Sequence, residues 1–173
     1  MSQGRKIDHA RDCAVCMAEM LSRLHIPTKV IGFTGDVNGY HVVHNHYMHW
    51  LNTYEERLNL VAIDADCDNF DGYSIRYATD MLKRRKEQHK ILVVLSDGQP
   101  AALYYKNKAE GIADTTDAIN KAKKQVDVIG VGVGNADSSV WRAMYGSSFI
   151  HVIDAKDLMS KIGAEVQKIM KRW

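Results

Sequence analysis

Charge of one sign is what this chain most plainly lacks. It sets 23 Lys and Arg against 21 Asp and Glu in 173 residues, a formal net charge of +2. So even a balance creates no field able to gather a polyanion, which argues against a nucleic-acid-binding module. Long apolar runs are missing too: none approaches the roughly 20 residues that a bilayer span requires, so no membrane helix is expected. The opening stretch Met1-Ser2-Gln3-Gly4-Arg5-Lys6-Ile7-Asp8-His9-Ala10-Arg11-Asp12-Cys13 is polar where a signal peptide would be apolar, and a cytoplasmic protein is expected. Cysteine is scarce, at three, and an odd number cannot fully pair, so reduced thiols are expected. Repeats, low-complexity tracts and linkers are absent as well. With 46% hydrophobic and 25% charged residues, residues 1–173 read as a single ordinary globular domain.

Cys13-Ala14-Val15-Cys16 has the spacing of a redox or zinc motif. No strand precedes it and no second ligand pair follows, whereas both cysteines fall in an apolar series at helical spacing with Ile7, Ala10, Ala14, Met17, Leu21 and Leu24. Small residues packed on a buried helix face are the expectation.

That helix should run from about Lys6 to Leu24 and stop before Pro27. A β-branched run at 28–34 reads as a strand, 35–39 as a turn, and 40–50 as a second strand antiparallel to the first. Residues 52–71 give no clear pattern. Ile75, Ala78, Met81 and Leu82 mark a helix from Tyr73 to about Lys86, with its basic run Lys83-Arg84-Arg85-Lys86 at a solvated end. Ile91-Leu92-Val93-Val94-Leu95 shows no polar alternation, which predicts a strand covered on both faces and central in its sheet. Further elements are expected as a helix at 114–124, a buried strand at 126–133, a short helix at 139–144, a strand at 149–153 and a closing helix at 155–171. Alternation of helices and apolar strands predicts an α/β layered fold with a mainly parallel sheet and helices on both faces.

In such sheets ligands bind beyond the carboxyl ends of the strands. Asp97 stands at one such end, in the turn Ser96-Asp97-Gly98-Gln99-Pro100, where it either faces the crevice or caps the turn through its own backbone. The segment Asp66-Cys67-Asp68-Asn69-Phe70-Asp71-Gly72 supplies three carboxylates and an amide before a helix. Hard oxygen ligands of this kind suit Mg²⁺ or Ca²⁺, and helix capping by Asn69 or Asp71 is the plainer alternative. Of His41, His44, His46 and His49, strand geometry puts 44 and 46 on one face and 41 and 49 on the other, which favours edge-strand decoration over a metal centre. The alternating glycines Gly130, Gly132 and Gly134 imitate a dinucleotide fingerprint, but close strand and helix packing explains them better. No Ser/His/Asp, Cys/His or paired-carboxylate set stands out as catalytic.

Two segments, Asn69-Phe70-Asp71-Gly72-Tyr73-Ser74-Ile75-Arg76 and Val94-Leu95-Ser96-Asp97-Gly98-Gln99-Pro100, together resemble a von Willebrand factor A (VWA) domain. The similarity is to the cobalt chelatase large-subunit and nitric oxide reductase activation type, and it extends through Asp114–Ala118 and Val128–Gly132. It implies a Rossmann-like three-layer sandwich carrying a metal-ion-dependent adhesion site, with Asn69, Asp71 and Asp97 as metal ligands. The family's first strand and its D-x-S-x-S motif are missing here, and Met1–Arg5 resembles the continuation of that motif. This leaves a slot between the strands at 28–34 and 91–95. Bare buried strand edges cost ~1–3 kcal/mol per unpaired group, so the two flanking strands are expected to pair directly, or a partner chain or second copy to donate a strand. With three metal oxygens gone, Mg²⁺ binding is expected to be weak or absent.

The resemblance implies a non-enzymatic protein-interaction module, an accessory to a MoxR-type AAA+ ATPase in metal insertion or enzyme maturation. Two rival readings are a nucleotide-binding or phosphoryl-transfer enzyme on a Rossmann-like sheet, motivated by the glycine-rich strand end, and an inactive truncated fragment.

Overall fold

A computed structural model describes residues 6–36, 38–51, 53–97, 100, 105–133, 138–153 and 155–171. Helix α1 (Lys6–Arg23) opens the chain, followed by the strands β1 (Val30–Gly35) and β2 (Val42–Met48). A short helix α2 (Tyr54–Leu58) runs into a 3₁₀ turn at Asn59–Ala62, and α3 (Asp71–Lys83) leads to β3 (Ile91–Ser96). Then come α4 (Lys108–Ala122), β4 (Asp127–Val133), α5 (Ser138–Tyr145), β5 (Phe149–Val152) and α6 (Ala155–Met170).

The ends of these elements have local causes. Past Arg23, the Ile26 N–H donates to the Leu21 carbonyl and the His25 N–H to that of Ser22, with His25 at φ 55°. This left-handed position, commonly a glycine, closes α1 in a Schellman arrangement. Asn107 caps α4, its side chain accepting the Glu110 N–H at 3.0 Å, while the Glu110 carboxylate accepts the Lys106 N–H. Thr53 caps α2 in the same way through the Glu56 N–H.

The strands β3, β4 and β5 form a parallel sheet in that order, with Ile91 opposite Asp127 and Ser96 opposite Gly132. On one face Leu92, Val94 and Val128 meet Ile75 of α3, Ile119 of α4, and Trp141 and Tyr145 of α5. On the other, Ile91, Val93, Leu95, Ile129 and Val131 meet Ala10 and Cys13 of α1 and Leu158 and Ile162 of α6. Strand alternation therefore feeds two helical layers from one sheet, the three-layer α/β arrangement the sequence predicts.

β1 and β2 make a separate antiparallel pair, with Ile31 opposite His46 and Gly35 opposite Val42. Helix α1 spans both sheets, since its Ala18 packs with Met48 and Leu60 while Ala10 packs on the parallel sheet.

Three expectations need correction. β3 is not central: β4 is, and among the described residues β3 lies at the sheet edge with Ile91, Leu92, Val93 and Leu95 only half-buried. Nor do β1 and β3 pair with each other among the described residues, so direct pairing is not how the slot between them is filled. Helices α1 and α3 each contact both sheets, so among the described residues the two sheets are joined by helix packing and not by strand pairing. Cys13 is buried as expected, its thiol pushed up to about 12 by burial, but Cys16 is exposed; the apolar face includes one cysteine, not both. All three cysteines are free. Met1–Arg5, Gly98, Gln99 and Gly134 lie outside the described residues.

Candidate functional site

Helix α3 begins at Asp71 without a side-chain cap at Phe70. The Asp71 carboxylate instead turns inward, and the side chain is only 3% exposed. Its Oδ1 accepts the Ser96 hydroxyl at 3.1 Å and its Oδ2 accepts Asn69 Nδ2 at 2.7 Å. Ser96 ends β3, so these bonds tie the start of α3 to the carboxyl end of that strand. Asp97, the next residue, is also buried, and its charge acts on Asp71. Burial, opposed by the Ser96 hydrogen bond and reinforced by the Asp97 charge, lifts the Asp71 carboxyl to about 6. Lys6 of α1 brings its Nζ to 3.5 Å from Asp97 Oδ2.

The structure thus gathers Asn69, Asp71 and Asp97 at the rim beyond β3, where ligands bind in open α/β sheets. Phe70, at the cap position of α3, makes no side-chain cap bond, while the Asp71 carboxylate also accepts its own backbone N–H. Ser96 and Lys6 are the two residues that sequence reasoning left unassigned. Ser96 carried a signal, a hydroxyl immediately before Asp97 at a strand end. Lys6 carried none, since 91 positions separate it from its partner.

Behind the rim, Arg76 holds Asp114 through two guanidinium nitrogens at 2.9 and 3.1 Å, and the Tyr105 hydroxyl donates to the same carboxylate at 2.8 Å. Burial would raise the Asp114 carboxyl, but the hydrogen bonds from Arg76 and Tyr105 hold it below the ordinary range. A Cβ on Gly72 would collide with the Asp114 carboxylate, so glycine beside Asp71 permits α3 and α4 to close.

An ion at the rim would meet two carboxylates, an amide and a hydroxyl, a hard-oxygen set that suits Mg²⁺ completed by water. It is a sparse set: among the described residues no three His, Cys, Asp or Glu side chains group to hold a metal. The histidines do not supply one either. His44 stacks on Tyr77, with ring centroids 4.1 Å apart, and its Nε2 lies 3.2 Å from Ser74 Oγ. His46 Nε2 reaches the Tyr77 hydroxyl at 3.1 Å, and His49 pairs with Glu56. They fasten β2 to α3 and α2.

Within β4, Gly130 and Gly132 lie against aromatic rings. A Cβ on Gly130 would enter the Tyr145 ring, and one on Gly132 would lie 2.9 Å from Phe149 and 3.2 Å from Trp141. Close packing thus explains the glycines at 130 and 132.

Comparison with known proteins identifies the family. Residues 55–172 match the family model described as the cobalamin biosynthesis protein CobT VWA domain. The chain belongs to this VWA family. It is similar to the uncharacterized protein YojO of Bacillus subtilis (strain 168), with 29% identity over 182 residues covering 96% of this chain. It spans only 28% of that relative's length. Among solved structures, the pilus adhesin SpaC from Lactobacillus rhamnosus GG superposes with a TM-score of 0.67 at 11% identity, covering 96% of this chain and 28% of SpaC. The conserved hypothetical protein BatB from Bacteroides thetaiotaomicron gives 0.67 at 13% identity, covering 95% of this chain and 88% of BatB. At those identities the likeness is one of fold. VWA domains generally mediate protein interactions. No helix among the described residues is long and apolar enough to cross a membrane.

Proposed function

We propose that this VWA domain is a non-enzymatic protein-interaction module whose rim takes a weakly held divalent cation, Mg²⁺ by its oxygen chemistry, to bridge a partner's carboxylate. The observation that carries this reading is the meeting of Asn69, Asp71, Ser96 and Asp97 beyond β3. Asn69, Asp71, Ser96 and Asp97 would face the ion, with the Asn69 amide also steadying Asp71. When bound, the ion supplies an open coordination position. Few protein oxygens leave much of the octahedron to water, so binding is expected to be weak in the chain alone.

The finer reading is an accessory to a MoxR-type AAA+ ATPase in metal insertion or enzyme maturation, supported by membership in the CobT VWA family. The edges of β1 and β3 that face no strand among the described residues suit donation of a strand by a second copy or a partner, which would tighten the ion site. Pull-down with a MoxR-type ATPase is expected to need Mg²⁺ and to fail with Asp97→Ala. A complex that survives both chelator and substitution would rule out a metal-bridged contact.

A further inference from the structure

Lys6 lies in α1 and reaches the rim from it. Its side chain lies largely buried, 19% exposed, with Nζ 3.5 Å from Oδ2 of an Asp97 side chain that is 9% exposed. Asp71, by contrast, takes neutral donors, Ser96 and Asn69. Asp97 therefore already holds a positive charge, delivered on a tether of four methylenes.

We infer that Lys6 is a built-in competitor for the ion site, its ammonium holding Asp97 until a divalent cation displaces it. This rests on the ion-binding reading above and adds its regulation. A dication offers two carboxylates twice the charge of an ammonium and coordinates their oxygens directly, so it displaces the lysine where a monovalent ion does not. The flexible stem allows the ammonium to swing to solvent without disturbing α1. The competition lowers the affinity for the ion.

The test is a titration of the full chain with MgCl₂, read by amide NMR shifts at residues 69–72 and 96–97 and by the melting temperature. Wild type, Lys6→Gln and Lys6→Arg are compared. Removing the competing charge in Lys6→Gln is expected to tighten the Mg²⁺ dissociation constant about tenfold, equivalent to roughly 1.4 kcal/mol. Lys6→Arg, whose planar fork pairs better with a carboxylate, is expected to weaken it severalfold. Mg²⁺ binding that is equal or weaker in Lys6→Gln, or tighter in Lys6→Arg, would overturn the role of the lysine while leaving the ion site standing. If neither wild type nor Lys6→Gln responds at tens of millimolar, the ion site itself fails and the inference fails with it.

Discussion

Asp71 carries a charge in a place where the fold gains by losing it, and Asp71→Asn measures by how much. The side chain is 3% exposed, and burial, partly offset by the Ser96 hydrogen bond, lifts its carboxyl from 3.8 to about 6. A displacement of about 2 pH units, at roughly 1.4 kcal/mol each, makes ionisation cost the folded state on the order of 3 kcal/mol at pH 7.5. The sign follows from proton affinity. The folded state holds this proton more tightly than the unfolded chain, so the penalty is complete above about pH 6 and gone below 3.8. Asparagine has the same shape but turns one acceptor into a donor facing either Ser96 or Asn69, which forfeits about 1 kcal/mol of hydrogen bonding. The net expectation is a gain of about 1–2 kcal/mol at pH 7.5, or roughly 3–6 °C in melting temperature. Urea and thermal melts in EDTA at pH 7.5 and pH 4 provide the assay. A variant less stable than wild type at pH 7.5, or one with the same gain at pH 4, would refute the reasoning.

Other expectations follow from single contacts. His25→Gly relieves a left-handed backbone at φ 55° and should stabilise the chain by roughly 0.5–1 kcal/mol in urea melts; a loss of stability would contradict this. Gly130→Ala drives a methyl into the buried Tyr145 ring and should cost about 1–3 kcal/mol; a neutral result would place that ring elsewhere. The imidazole of His44 is held below its ordinary 6.5 by burial and by the neighbouring His46 charge. Its contribution is therefore intact above pH 6.5 and lost as the pH falls from there through the lower folded value, opposite in sign to Asp71. His44→Phe keeps the stack on Tyr77 and should reduce the stability lost between pH 7.5 and pH 5, and an unchanged loss would assign it to other groups.

Much of the architecture is legible because it depends on local patterns. The apolar series in α1 and the β-branched run of β1 place those elements within a residue or two, since periodicity reports which face meets a core. β3 shows the limit: Ile91–Leu95 advertises a capacity for burial on both faces, but nothing in those residues counts their neighbours, and the strand sits at an edge. Helix α4 starts six residues before the expected 114, because Asn107 and Glu110 set the start through side-chain bonds rather than apolar spacing. α2 escaped notice because five residues are too few for a stripe to show, although Thr53 and Glu56 carried the capping signal. At the rim, Asp71 and Asp97 were legible from position, one before a helix and one after a buried strand. The Ser96 bond to Asp71 and the Lys6 approach to Asp97 were not, because both join residues far apart in sequence.

The central claim is that the oxygens of Asn69, Asp71, Ser96 and Asp97 define one ion-binding point at the rim beyond β3. Substoichiometric Mn²⁺ added to ¹⁵N-labelled protein tests it directly, through paramagnetic broadening of amide signals. The account predicts that amides at 69–72 and 96–97 broaden together, and that the effect vanishes when excess Mg²⁺ is added or when Asp97 is replaced by alanine. Broadening centred on His44, His46 and His49, with residues 96–97 untouched, would contradict it.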